Sequence, residues 1–466
     1  MYGMTIGGED VPAKDVFDVV DPATGEVHAQ APDCSPEQLD AAFAAAEAAY
    51  GSWRRDEDAR RAALHAAGDL LLAGAGDLAP ILVGEQGKPL KEATFEIIGA
   101  GVWLKHFADL PMPRQVIRDD DAAFVEVVRR PMGVVAAITP WNFPLILACW
   151  KIAPALLAGN TMVLKPSPFT PLTTLRVGEL FRDVLPAGVL NVVSGRDPLG
   201  AHMTVHPVPR KITFTGSVAT GKRVAASAAD DLKRVTLELG GNDPAIVLPD
   251  ADPAAIAAKL FGAAFQNNGQ VCSAIKRVYV PESLHDELVE ALADQAARTK
   301  VGPGLEEGVT HGPLNNRPQF ERVAGLVADA LSGGARAVTG GKPVDGPGYF
   351  FEPTLLTGVE DGSRIVDEEQ FGPALPIVKY TSLDEAVARA NGTHFGLSGS
   401  VWGTDTERAA AVADELECGT AWVNTHLALH PAQPFGGFKW SGIGVENGTW
   451  GLEGFTEVQV RHRAKG

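Results

Sequence analysis

Cysteine is scarce in this chain: 466 residues hold four, Cys34, Cys149, Cys272 and Cys418, widely separated. None stands in a CxxC pair or beside histidines at metal-ligand spacing. A disulfide framework and a metal site are therefore not expected, and a reducing cytoplasm fits best. Basic residues are also short, with 40 Lys+Arg against 58 Asp+Glu and a net charge of −18. Nothing offsets phosphate repulsion, and no Lys/Arg run of useful length stands out, which opposes binding to nucleic acid or anionic membranes. Long apolar runs are missing too. The most apolar stretch, residues 131–164, is broken by Pro140, Asn142, Pro144, Lys151, Pro154 and Asn160. It offers no clean span of about 20 apolar residues for a membrane. Residues 1–14 carry Glu9 and Asp10 without an apolar core, which argues against a secretory signal. Finally, no GxGxxG fingerprint follows an early strand, so the commonest dinucleotide signal is absent.

What is present is alternation. The length asks for two or more domains, and 45 % apolar with 21 % charged residues is ordinary for a globular protein. Residues 38–50 and 56–72 are Ala-rich and helical in period. A polar, proline-containing stretch (111–121) leads into residues 123–130, which alternate like a strand. Strands are then expected at 133–139, 161–165, 189–194 and 211–215, with helices at 145–157, 171–183 and 217–229. The second half repeats the style. Strands are expected at 245–248, 276–280, 371–380 and 398–402, and helices at 253–265, 282–300, 383–391 and 407–415. Residues 455–460 read as an edge strand. Strands alternating with helices predict parallel α/β sheets covered on both faces.

Two segments carry the chemistry. Cys272 lies in Phe265-Gln266-Asn267-Asn268-Gly269-Gln270-Val271-Cys272-Ser273, a loop of small and amide residues and a poor composition for a core. Glu238 lies in Leu237-Glu238-Leu239-Gly240-Gly241, flanked by apolar residues and glycines that admit close backbone approach. A thiol with a partly buried carboxylate can work through a thioester, with water activated by the carboxylate. Cys34, Cys149 and Cys418 read as packing residues. In Pro140-Trp141-Asn142-Phe143-Pro144 two prolines hold Asn142 still; its amide either stabilises an oxyanion or bridges loop carbonyls. Lys151 sits in an apolar helix, within reach of a loop carrying Glu446; the two form a proton relay or a structural pair. Lys165 ends a strand where α/β sheets bind ligands, or is a surface lysine. After the 211–215 strand, Thr215-Gly216-Ser217 opens a helix whose free N–H groups can take an anion, or forms an ordinary βα turn.

Together these motifs resemble the aldehyde dehydrogenase superfamily, over essentially the whole chain and in the family's order. The resemblance implies a fold class of two doubly wound parallel-sheet α/β domains plus a small oligomerisation β-sheet. A Rossmann-like cofactor domain would take residues 1–112 and 132–240, a catalytic domain 241–440, and the oligomerisation element 113–131 with 441–466. It implies oxidation of an aldehyde to the acid with NAD, NADP being the alternative cofactor. Cys272 would be the nucleophile, Glu238 the base, Asn142 the oxyanion donor, and Lys151 with Glu446 the relay. Thr139, Pro140, Trp141, Lys165, Ser167, Phe214, Thr215, Gly216, Ser217, Leu239, Gly240, Glu369 and Phe371 would line the cofactor site. Glu369 would hold the nicotinamide ribose, where the alternative is a solvated acid beside a loop. Phe143, Trp150 and Phe435 would line an apolar aldehyde tunnel. No metal is implied, and a homodimer or homotetramer is.

Three positions depart from the family pattern. Pro168 stands where a carboxylate often selects NAD, so NADP should be tolerated unusually well. Val445 replaces a common Arg, and Gln370 a common apolar residue. Two other enzymes use overlapping parts: a CoA-acylating relative, and a cysteine hydrolase, which would need a base from His394, His426 or His430.

Overall fold

The computed structural model describes residues 2–465 and contains two large α/β units and a small antiparallel sheet. The first sheet has eight strands, in the order Gly442–Ile443, Arg234–Glu238, Lys211–Thr215, Val134–Ile138, Thr161–Lys165, Leu190–Val192, Met4–Ile6 and Glu9–Val11. The five from Arg234–Glu238 to Leu190–Val192 run parallel. Their Val, Ile and Ala side chains are almost all buried, as a sheet covered on both faces requires. The register pairs Thr215 with Glu238 and Ile138 with Lys165, so these strands end level with one another at their C-terminal edge. Ligands of parallel sheets bind at that edge.

The second sheet has seven strands: Arg336–Thr339, Thr354–Thr357, Ala374–Tyr380, Ile275–Pro281, Asp243–Val247, Ser398–Trp402 and Thr420–Val423. It is parallel except at the Arg336–Thr339 edge. The third sheet joins Thr456–Ala464, Ala123–Pro131 and Arg114–Asp119 antiparallel. Along Thr456–Ala464 every residue after Thr456 is exposed.

The central strands and helices lie where the alternation puts them; Lys211–Thr215, Thr161–Lys165, Pro253–Phe265 and Leu383–Asn391 match residue for residue. Several elements gave no such signal. Arg114–Asp119 is exposed at all six positions and shows no apolar alternation; pairing with Ala123–Pro131 makes it a strand. The helix Glu57–Gln86 runs well past the expected residue 72, through an internal Pro80. It is long and apolar enough to cross a membrane, but its buried face, which includes Arg60 and Glu85, packs against the helix Leu90–Asp109. The expectation for residues 441–466 needs correction. Gly442–Ile443 joins the first sheet beside Arg234–Glu238, and the helix Gly448–Glu453 packs on the helix Pro144–Ala158, so only the final strand belongs to the third sheet. Glycines around residue 442 hide a two-residue strand from any pattern.

Candidate active site

The loop carrying Cys272 leaves the helix Pro253–Phe265 through an unusual turn. Asn267, Asn268 and Gly269 have φ of 47°, 55° and 75°, a left-handed run that Asn and Gly tolerate best. A Cβ on Gly269 would lie 2.3 Å from Gly372 O, so backbone closes on backbone there. Amides tie the turn down. Asn268 Nδ2 donates to Gly312 O (2.9 Å) and Gln270 Nε2 to Asn267 O (2.9 Å). Across the seam between the two units, Asn267 Nδ2 donates to Asn142 O and Asn142 Nδ2 to Gln270 O, both at 3.0 Å. The Asn142 amide thus holds one loop carbonyl. An amide NH₂ has two hydrogens, so one remains for an oxyanion.

Sequence reasoning missed what stands behind Asn142. Lys88, wholly buried, donates to Asn142 O (2.8 Å) and Glu96 Oε2 (2.6 Å), and its ammonium lies 3.7 Å from the Phe143 ring centre. Glu96 Oε1 accepts the N–H groups of Leu145 (2.9 Å) and Ile146 (3.3 Å) at the start of the helix Pro144–Ala158. The signal was available: Lys88 and Glu96 bracket the start of an apolar helix, where charges persist only when paired.

Cys272 remains partly exposed. Its thiol is pushed up to about 12, chiefly by burial, with Asp243, Glu238 and Glu369 adding and Lys276 opposing. Among the described residues no histidine is hydrogen-bonded to the thiol; His426 Nε2 meets Ser273 O (2.7 Å) instead.

Glu238 ends its strand 4 % exposed, and neither carboxylate oxygen has a hydrogen-bond partner. Burial, and then the neighbouring Glu446 carboxylate, hold its pKa well above the ordinary carboxylate range; Lys151 opposes them. The Lys151 ammonium donates to Thr215 Oγ1 (2.7 Å) and Glu446 Oε1 (2.5 Å), while Glu446 Oε2 has no partner. Lys151 and Glu446 do meet, as the sequence suggested, with Glu238 as an unbonded electrostatic neighbour. Thr215 turns its hydroxyl inward to Lys151.

Residues that fit a nicotinamide cofactor lie along the adjoining sheet edge. Thr139 Oγ1 is buried without a partner. Buried Lys165 makes one long bond, to Pro166 O (3.3 Å), and burial lowers its pKa to about 8 against the pull of Asp197 and Asp33. A polar ligand at this edge would satisfy both groups. Ser217 caps the helix Val218–Ala229 by accepting from Thr220 N, and Gly216 N is bonded to Glu238 O (3.0 Å). Pro140 and Ser167 flank this edge, while Phe214 and Leu239 are buried beneath it. Glu369 Oε1 accepts from Gly241 N (3.0 Å), and a Cβ on Gly240 would lie 2.2 Å from Glu369 Oε2. Phe371, at φ 52°, packs edge-on against Trp141 at 5.2 Å. Gln370, the unusual residue, is buried and donates to Lys276 O (3.2 Å) and Ile365 O. Among the tunnel candidates, Trp150 meets Phe435 edge-on at 5.5 Å and stacks on Trp103 at 5.6 Å. Phe143 begins the same helix as Trp150, against Lys88.

A model of the aldehyde dehydrogenase family matches residues 10–460. The chain belongs to that family. It is 40 % identical to a phenylacetaldehyde dehydrogenase of Pseudomonas fluorescens, over 98 % of this chain and 95 % of that one. An aldehyde dehydrogenase from Bacillus cereus, solved as an NAD+ complex, superposes with a TM-score of 0.97 at 36 % identity, covering 99 % and 96 % of the two chains. An NADP-dependent enzyme from E. coli gives 0.97 and 36 %, covering 99 % and 98 %. Aldehyde dehydrogenases oxidise aldehydes to acids, and the relatives span both cofactors; the resemblance read from the motifs extends to the whole fold.

Proposed function

We propose that this aldehyde dehydrogenase works through Cys272 as nucleophile and Glu238 as water-activating base, on an aldehyde whose tail is apolar. The observation that carries the reading is the pair of buried Glu238 oxygens with no partner, beside a thiol-bearing loop. Such a carboxylate is costly unless it has work to do. The Cys272 thiolate attacks the aldehyde carbon. The free amide hydrogen of Asn142 faces the developing oxyanion, with the Cys272 backbone N–H as second donor. A bound nicotinamide cofactor would supply the hydride acceptor; Lys165 and the capped turn at Ser217 would hold its polar parts, and Glu369 would hold its ribose hydroxyls. Glu238 then removes a proton from water, which hydrolyses the thioester on Cys272. Lys151 and Glu446 carry that proton away.

The buried Trp150–Phe435 contact supports an aliphatic or aromatic aldehyde over a charged one. Cys272→Ala is expected to abolish aldehyde oxidation and leave cofactor binding intact. Reduced-cofactor absorbance and a cofactor titration read the two; more than a few per cent residual turnover would refute the assignment. We also infer a cytoplasmic homo-oligomer. The exposed edge strand Thr456–Ala464, with Val458 and Val460 more than half exposed, supports the assembly, and four unpaired cysteines support the compartment. A monomer mass by light scattering at micromolar concentration would contradict the assembly.

A further inference from the structure

Lys276 enters neither the motif resemblance nor the mechanism above. It sits on the strand Ile275–Pro281, four residues after Cys272, and is 2 % exposed. A lysine on a fully buried central strand is costly to bury, so its contacts explain its presence. Its ammonium donates to Val271 O (2.6 Å) and Cys272 O (3.0 Å). It lies 4.0 Å from Glu369 Oε1 and 5.7 Å from the Phe371 ring centre. The Cys272 carbonyl is thus held from one side by Lys276. From the other it is approached by Gly241, where a Cβ would come within 2.7 Å of the same oxygen.

We propose that Lys276 is a positioning residue for Cys272: its two hydrogen bonds fix the nucleophile loop, and its charge stabilises the thiolate that must form there. This rests on the reading of Cys272 as the nucleophile. The charges acting on the thiol are unequal. Asp243, Glu238 and Glu369 all disfavour a thiolate, and Lys276 is the cation that opposes them. His426, bonded to Ser273 O beside the loop, is driven toward the neutral form by burial, to about 3, and adds no positive charge near neutral pH. Because Glu369 borders the same ammonium, the nucleophile loop and the proposed ribose clamp share one cation.

Two variants separate charge from packing. Lys276→Gln keeps an N–H donor and removes the charge; Lys276→Arg keeps the charge and changes the shape. The readout is alkylation of Cys272 by iodoacetamide, located by peptide mass spectrometry so that the other cysteines do not count, as a function of pH. In the Gln variant alkylation near neutral pH should fall about tenfold and its profile move up by about one pH unit, the scale of a single nearby charge. The Arg variant should stay within about threefold of the parent, and kcat should follow the labelling. Parent-like labelling in the Gln variant overturns the proposal, and so does equal slowing in both variants. Should the Gln variant not fold, a folded Arg variant decides: a retained profile supports the proposal and a lost one overturns it. Cys272→Ala separates the two levels. Activity surviving in that variant removes the nucleophile reading itself, whereas an inactive Ala variant beside unchanged Gln labelling removes only the role of Lys276.

Discussion

Two buried lysine–glutamate pairs stand within the first unit, and they are satisfied very differently. In Lys88–Glu96 every charged atom has a partner. The ammonium meets Glu96, Asn142 O and the Phe143 ring, and the second carboxylate oxygen takes two helix N–H groups. In Lys151–Glu446 the ammonium is satisfied, yet Glu446 keeps a bare oxygen, and Glu238 beside it keeps two. A fully connected polar network rigidifies, whereas an incomplete one stores cost. The first pair is scaffold for the loop that carries Asn142. The second is left open beside Glu238, where we propose that water is activated.

The comparison can be broken from either end. The largest effect should come from Glu238→Gln, because a positioned base contributes ~10²- to 10⁴-fold to such a step. Hydride transfer does not need that base. Mixing with aldehyde and cofactor should give a burst of reduced cofactor near one per active site, then slow turnover, with an acyl adduct on Cys272 by mass spectrometry. Near-normal turnover without adduct would mean that Glu238 only packs. The sign of the pH dependence follows from its raised pKa. A carboxyl held neutral to higher pH becomes a base only above that pKa, so parental deacylation should climb with pH, by at most about tenfold per unit, and the Gln variant should lose the climb.

The next effect should appear in stability. Lys88→Met strands the Glu96 carboxylate, and removing one partner of a buried pair costs ~3–5 kcal/mol. The urea midpoint should fall accordingly, whereas Glu238→Gln, which strands no buried partner, should leave it unchanged or raise it. Equal midpoints for the parent and Lys88→Met would erase the distinction between scaffold and working pair.

Much of this contrast was legible in the sequence. Cys272, Glu238 and Asn142 announce themselves through glycines, amides and prolines that serve no core. Lys151 and Glu446 meet although 295 residues separate them; a lysine in an apolar helix asks for a partner, and the family resemblance supplied which one. The completeness of each network was not legible. Whether a carboxylate has one, two or no donors depends on side chains brought together from distant strands, and no period encodes that. Lys276 was overlooked for the same reason: it is bonded to backbone carbonyls, and a carbonyl has no letter in the sequence. Arg114–Asp119 and Gly442–Ile443 escaped because the partner strand, not their own pattern, makes them strands.

The exchange of amides between Asn142 and the Asn267–Gln270 turn has a bearing on how such enzymes can diversify. Each loop holds the other's carbonyl, and the two loops come from different sheets. Neither half is therefore a free module. A recombination that imported one unit from a distant relative would have to carry a compatible asparagine, with the right backbone behind it, into a seam built by the other. The aromatics we propose for the aldehyde tail, such as Phe435, take no part in that exchange, so substrate range can drift while the chemical centre is inherited whole.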